Sequence, residues 1–144
     1  MAMMPAKGVR GRKRQVLVDT LGNLLRVWVP PADESDTAGG TRLLTGLAAV
    51  FGRLALLWVD QGYKATFVTW VQTHLGWRVE VVQKPAGQQG FAVQPKRWLV
   101  ERSIAWLTRP RRLSKDYEYW EANSAAYLYL ASIHLLLRRL APAT

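Results

Sequence analysis

Two of the chain's ten acidic side chains, Asp60 and Glu101, stand where a carboxylate can do chemistry. Asp60 closes a near-continuous apolar run, Leu54 to Val59, and is followed by Gln61 and Gly62. A buried strand that delivers an acid to its C-terminal end, beside a glycine turn, is where α/β folds place reactive groups. The plainer reading is that Asp60 caps the next turn. Glu101 is a lone acid in a basic stretch, with Arg97 four residues before it and Arg102 beside it. An i,i+4 ion pair on a helix accounts for Glu101 and contributes only a few tenths of a kcal/mol. A metal ligand next to a phosphate-binding surface accounts for it as well. Carboxylates brought together without a cation repel one another, and a hard divalent cation needs several oxygen ligands. The chemistry this pair points to is metal-assisted, with a basic surround to hold a phosphate-bearing substrate.

The other acids and the histidines have simpler explanations. Asp19 falls in a turn, where its carboxylate can accept from nearby backbone N–H groups. Asp33 and Asp36 lie in a Pro/Ser/Gly loop, and Asp36 is placed to cap the helix that follows. His134 interrupts a leucine stripe and reads as a packing residue, and His74 sits near a helix C-terminus, where a partial positive charge is favoured. The chain has no cysteine and two histidines, which excludes disulfides, thiol catalysis and His- or Cys-based zinc sites. Any metal would be Mg²⁺ or Mn²⁺ on oxygen ligands. Walker-type, dinucleotide-binding and Gly-x-Ser-x-Gly motifs are absent.

The net charge is +10, which points to a polyanionic partner. Basic residues concentrate in Lys96, Arg97, Arg102, Arg109, Arg111, Arg112 and Lys115, against the single acid Glu101. A second group, Lys7, Arg10, Arg12, Lys13 and Arg14, makes residues 1–14 read as a flexible basic arm. An apolar fraction of 49% with seven tryptophans argues for one folded domain over the remaining 15–142. No signal-peptide pattern opens the chain, and the apolar runs are too short or too polar to span a bilayer, so a cytoplasmic, non-membrane protein is expected.

These residues need elements to position them. Gln15 to Val18 and Leu24 to Val29 read as a β-hairpin around Gly22-Asn23, stopped by Pro30-Pro31. Leu43, Leu44, Leu47, Val50 and Phe51 recur at helical spacing. Leu54 to Val59 reads as a strand buried on both faces, Phe67 to Leu75 as a helix ended by Gly76, and Trp77 to Val82 as an alternating strand. Residues 84–90 read as a loop and Arg97 to Leu107 as a helix closed by Pro110. Ser124 to Leu140 reads as a final helix whose buried face is Ala126, Leu130, Ile133, Leu137 and Leu140. The order predicts an α/β fold with a mixed sheet and helical crossovers.

Several segments together carry a resemblance. They are Gly11-Arg-Lys-Arg-Gln-Val-Leu-Val-Asp-Thr-Leu-Gly22, Pro31-Ala-Asp33, Trp58-Val-Asp60-Gln-Gly-Tyr63, Arg97-Trp-Leu-Val-Glu101-Arg-Ser-Ile-Ala-Trp-Leu107 and Arg111-Arg-Leu-Ser-Lys-Asp-Tyr-Glu118. In that order they resemble bacterial insertion-sequence transposases of the DDE class, over Gly11 to Pro142. The resemblance implies an RNase H-like mixed sheet flanked by helices, and metal-dependent DNA cleavage and strand transfer by three carboxylates with Mg²⁺ or Mn²⁺. Asp60 matches the second acid and Glu101, with Arg97, the third. Arg97, Arg102, Arg109, Arg111, Arg112 and Lys115 are then expected on DNA phosphates.

Nothing matches the first acid, since Met1 to Arg10 contains none, and Gln94 and Thr108 stand where relatives often carry Tyr and Lys. The resemblance therefore implies a partial catalytic domain without its first strand, inactive alone. The partners expected are transposon-end and target DNA, with a homodimer or a separately encoded N-terminal half, on the nucleoid. A non-catalytic DNA-binding remnant is the alternative, and charge alone admits a basic domain that binds another protein or an RNA.

Overall fold

A computed structural model describes residues 11–82 and 95–141, with the side chains of residues 95 and 97 excepted. Within them, strands β1 (Gln15–Val18) and β2 (Leu24–Trp28) form the hairpin. Helices α1 (Asp36–Leu44) and α2 (Leu47–Val50) follow, then β3 (Leu56–Asp60), α3 (Ala65–Leu75) and β4 (Arg78–Val82). Helices α4 (Pro95–Leu107), α5 (Arg111–Ser114) and α6 (Glu121–Leu140) complete the order. The expected loop at 84–90 and the residues before Gly11 lie outside the described residues.

The hairpin is the middle layer, and its pleat explains why. Successive side chains of a strand point to opposite faces. Val16 joins Val27, Val29, Val100, Leu107, Leu113 and Leu128 in a core shared with α4, α5 and α6. Leu17, one residue on, joins Leu43, Leu44, Leu47, Leu57, Val59, Phe67 and Val71 in a core shared with α1, α2, β3 and α3. Burying each such side chain contributes roughly 1.5–3 kcal/mol, so two adjacent residues tie the helices on both sides to one hairpin.

Local signals set the element ends. The turn after β1 is held by Asp19, whose Oδ1 accepts from the Leu21 and Asn23 N–H at 2.9 and 2.8 Å and whose Oδ2 accepts from Asn23 Nδ2 at 2.8 Å. Gly22 sits there at φ +85°. The helix expected from Leu43 to Phe51 is broken at Thr45-Gly46, where Gly46 takes φ +77°, giving α1 and α2. Ser35 rather than Asp36 caps α1, its Oγ accepting from the Ala38 N–H at 3.2 Å. Gly76 ends α3 in the left-handed region, as its position predicts.

Three further expectations need correction. The single mixed sheet is not formed by the described residues: β1 pairs with β2 antiparallel, β3 with β4 parallel, and the two pairs are separate. Residues 11–14, read as part of a flexible arm, extend the hairpin. Lys13 N–H donates to Pro30 O at 3.0 Å, Arg12 bridges Pro31, and Arg14 Nη1 donates to Leu113 O at 2.7 Å. On α6, Leu130, Ile133, Leu137 and Leu140 are 59%, 51%, 61% and 80% exposed, while Ser124, Leu128 and Ser132 are buried. Apolar residues surround most of this helix, so periodicity cannot choose a face. The small Ser124 and Ser132 flank Leu128 on the stripe that lies against the molecule.

Candidate functional site

A cavity of about 300 Å³ separates the two strand pairs. Leu17, Val18, Asp19 and Thr20 line it from β1 and the turn beyond, and Leu56 through Gly62 line it from β3 and its C-terminal turn. Lys96, Leu99 and Val100 of α4 complete one wall. The lining is largely apolar, with Asp19, Thr20, Asp60, Gln61 and Lys96 as its polar members.

Asp60 reaches this position because β3 is an apolar strand with Leu57 and Val59 buried, so its last residue emerges at the cavity mouth. Its Oδ1 accepts from the Gly62 N–H at 3.0 Å, the turn interaction its spacing suggests. Tyr63, from the same turn, is buried with its hydroxyl unpartnered and its ring 4.6 Å from that of Phe67. Burial foremost, then the negative charge of Asp60 and Asp36, pushes the Tyr63 phenol well above its ordinary range.

Trp58, on the cavity wall, is paired with Glu80 across β3 and β4. Glu80 Oε2 accepts from Trp58 Nε1 at 2.8 Å and from Lys96 Nζ at 3.0 Å, and Lys96 also lies 4.6 Å over the Trp58 ring. These two hydrogen bonds hold the Glu80 carboxyl below its ordinary value. The lash fastens the start of α4 to the β3–β4 pair. Sequence reasoning passed over it, since Trp58 and Glu80 meet only through strand register.

Glu101 is exposed on α4 and is not among the residues lining the cavity, whereas Asp19 and Asp60 both are. Among the described residues no three acids or histidines cluster as a metal site.

The basic residues divide into two kinds. Arg109, Arg111 and Lys115 stand exposed around α5. Arg102 is packed between Trp98 and Trp106, 4.6 Å over each ring, and Nη2 donates to Leu21 O at 3.2 Å. Arg139 of α6 extends the stack from 4.9 Å over Trp106. Arg112 lies between: its Nε donates to Glu118 Oε1 at 2.8 Å, which raises the guanidinium pKa further, and it covers the Tyr127 ring. The Arg97 side chain lies outside the described residues. The spacing of Trp98, Arg102 and Trp106, each four residues apart, was visible in sequence; the Arg139 contact was not.

Among the described residues no helix is long and apolar enough to cross a membrane. A family profile described as the transposase DDE domain matches residues 4–136, a span that includes the hairpin, Asp60, Glu101 and most of α6. Comparison with curated proteins and with solved structures returns no match. Since the profile covers most of the chain, this protein belongs to the transposase DDE domain family.

Proposed function

We propose that this chain acts on DNA as part of a transposase that cleaves and rejoins phosphodiesters, with Asp60 and Glu101 as two of its carboxylates. The observation that carries the reading is the family match over residues 4–136. The position of Asp60 at the end of a buried strand, at the mouth of a cavity, supports it. Arg97, Arg102, Arg109, Arg111, Arg112 and Lys115 are proposed as the phosphate-facing group, of which Arg109, Arg111 and Lys115 are the most accessible. The finer fold reading is an RNase H-like core whose central strand is not among the described residues. Mg²⁺ or Mn²⁺ is the cation this chemistry calls for. The described acids do not complete its ligand set, so a further carboxylate must come from outside them. The setting that fits such a protein is the nucleoid, in the cytoplasm.

The lack of a three-acid cluster favours a second reading, a DNA-binding protein that does not cut unaided. Purified chain, incubated with transposon-end DNA and Mg²⁺ or Mn²⁺, distinguishes the two. Salt-sensitive DNA binding with little cleavage is the expected outcome. Robust cleavage abolished by Asp60→Ala would show that the chain carries a complete centre, and failure to bind DNA at low salt would overturn the DNA reading altogether.

A further inference from the structure

Between α4 and α6, a run of exposed cations leads directly into a run of exposed aromatic rings. Arg109, Arg111 and Lys115 stand exposed, and Tyr117, Tyr119 and Trp120 are 65%, 82% and 65% exposed. Large rings left together in water mark a contact surface rather than a core. The loop that carries them is fastened by two arginines. Arg12 Nη1 donates to Glu118 O at 2.8 Å and to Asp116 Oδ2 at 3.4 Å, and its Nη2 donates to Tyr119 O. Arg112 Nε donates to Glu118 Oε1 at 2.8 Å, and the Glu118 N–H donates to Asp116 Oδ1 at 3.2 Å. Asp116 and Glu118 are thereby paired and largely covered, so they subtract little from the positive charge outside. The Tyr119 and Trp120 rings meet edge to face with centroids 5.1 Å apart. A loop already held in place loses little further freedom when a partner presses on its rings.

We propose that Tyr117, Tyr119 and Trp120 form a stacking platform for the unpaired bases of single-stranded DNA, whose phosphates are held by Arg109, Arg111 and Lys115. This rests on the DNA reading and adds to it the form of DNA that is taken. An aromatic face gains from a flat π face and a cation from an anion, and each unpaired nucleotide carries one of both. In a duplex the base faces are stacked on one another and hidden. An acidic polypeptide offers charge without flat faces. A duplex also has the denser phosphate charge, so charge alone ranks it above a single strand. Preference for the single strand therefore isolates the contribution of the rings.

The test titrates the full 144-residue chain, without metal, into a fluorescent oligothymidylate and into an adenine–thymine duplex of the same length at the same salt concentration. The single strand is expected to bind several-fold tighter than the duplex. Tyr117→Leu and Tyr119→Leu, at exposed positions, should each weaken single-strand binding about fivefold or more, with duplex affinity and thermal midpoint unchanged. Tyr119→Phe, which keeps the ring, should bind as the parent does. Tetranitromethane should nitrate Tyr117 and Tyr119 in the free chain, and the oligonucleotide should protect both. Resistance of these rings to nitration in the free chain would overturn the proposal, since other parts of the chain would then cover them. So would duplex binding with no effect of either leucine on the single strand, an outcome that leaves the DNA reading standing. Competition by polyglutamate of matched charge as effective as that of the oligonucleotide would overturn it in favour of attraction by charge alone. Failure of both DNA forms to bind would remove the DNA reading and this proposal together.

Discussion

Asp19 and Asp60 share one cavity and separate chemically through their hydrogen bonds. Asp19 commits both oxygens to its own turn, while the contact found for Asp60 is a single bond from Gly62 N–H. Asp19→Ala is therefore expected to cost about 1–3 kcal/mol of stability, read as a lower denaturant midpoint, with DNA affinity of the remaining folded chain unchanged. An equal loss of DNA affinity would give Asp19 a functional role. The neighbouring Gly22 carries a second constraint: a Cβ there would lie 2.7 Å from Ser103 Oγ, at φ +85°. Gly22→Ala should destabilise by about 1–3 kcal/mol. Ser103→Ala by itself loses the 2.9 Å hydrogen bond from Ser103 Oγ to Gly22 O, so the comparison is made in that background, where Gly22→Ala should cost less because the clash is gone and the dihedral strain remains. An equal cost in both backgrounds would place it wholly in the backbone.

At the scale of elements, α6 shows how a helix can mislead a reader of periodicity. Leu128 is buried against the hairpin and Leu137 is not. Leu128→Ala should cost about 2–5 kcal/mol, and Leu137→Lys should stay within about 0.5 kcal/mol, both measured by chemical denaturation. The reverse order would mean that the leucine stripe is the packing face after all. The docking of α4 has a pH signature. The Glu80 carboxyl is held below its ordinary value by Lys96 and Trp58, so its protonation is favoured more in the unfolded chain than in the folded one. Its contribution is present above the unfolded value and is lost as pH falls through the lower, folded one. Glu80→Gln should flatten that part of the acid-stability curve, and the two proteins should converge in strong acid. A constant offset at every pH would show that the charge of Glu80 does not hold α4.

For the whole molecule, the net charge of +10 makes DNA affinity a function of salt. Each phosphate contact removed should lower the slope of log K against log salt by about 0.9. Arg111→Ala and Lys115→Ala, at exposed positions, are expected to do this with no change in thermal midpoint. Arg102→Ala should lower the midpoint as well as the slope, since this guanidinium is also packed between two indoles and bonded to Leu21 O. An unchanged salt slope for Arg102→Ala would make the Trp98–Arg102–Trp106 stack a brace between α4 and the hairpin turn and remove Arg102 from the phosphate-facing group.

The sequence by itself determined the hairpin, the β3–α3–β4 unit, the α4 helix and the end-of-strand position of Asp60. Each rests on short-range rules: alternation, helical spacing, turn glycines, and an acid after an apolar run. It also carried the family, because the order of the motifs survives in the linear chain. Tertiary structure alone decided the rest. Which stripe of α6 is buried depends on what faces it, and Leu130 and Leu128 are equally apolar. Trp58, Glu80 and Lys96 meet through strand register and the path of the chain. Separation into two strand pairs, with a cavity between them, depends on long-range pairing that local propensity does not encode.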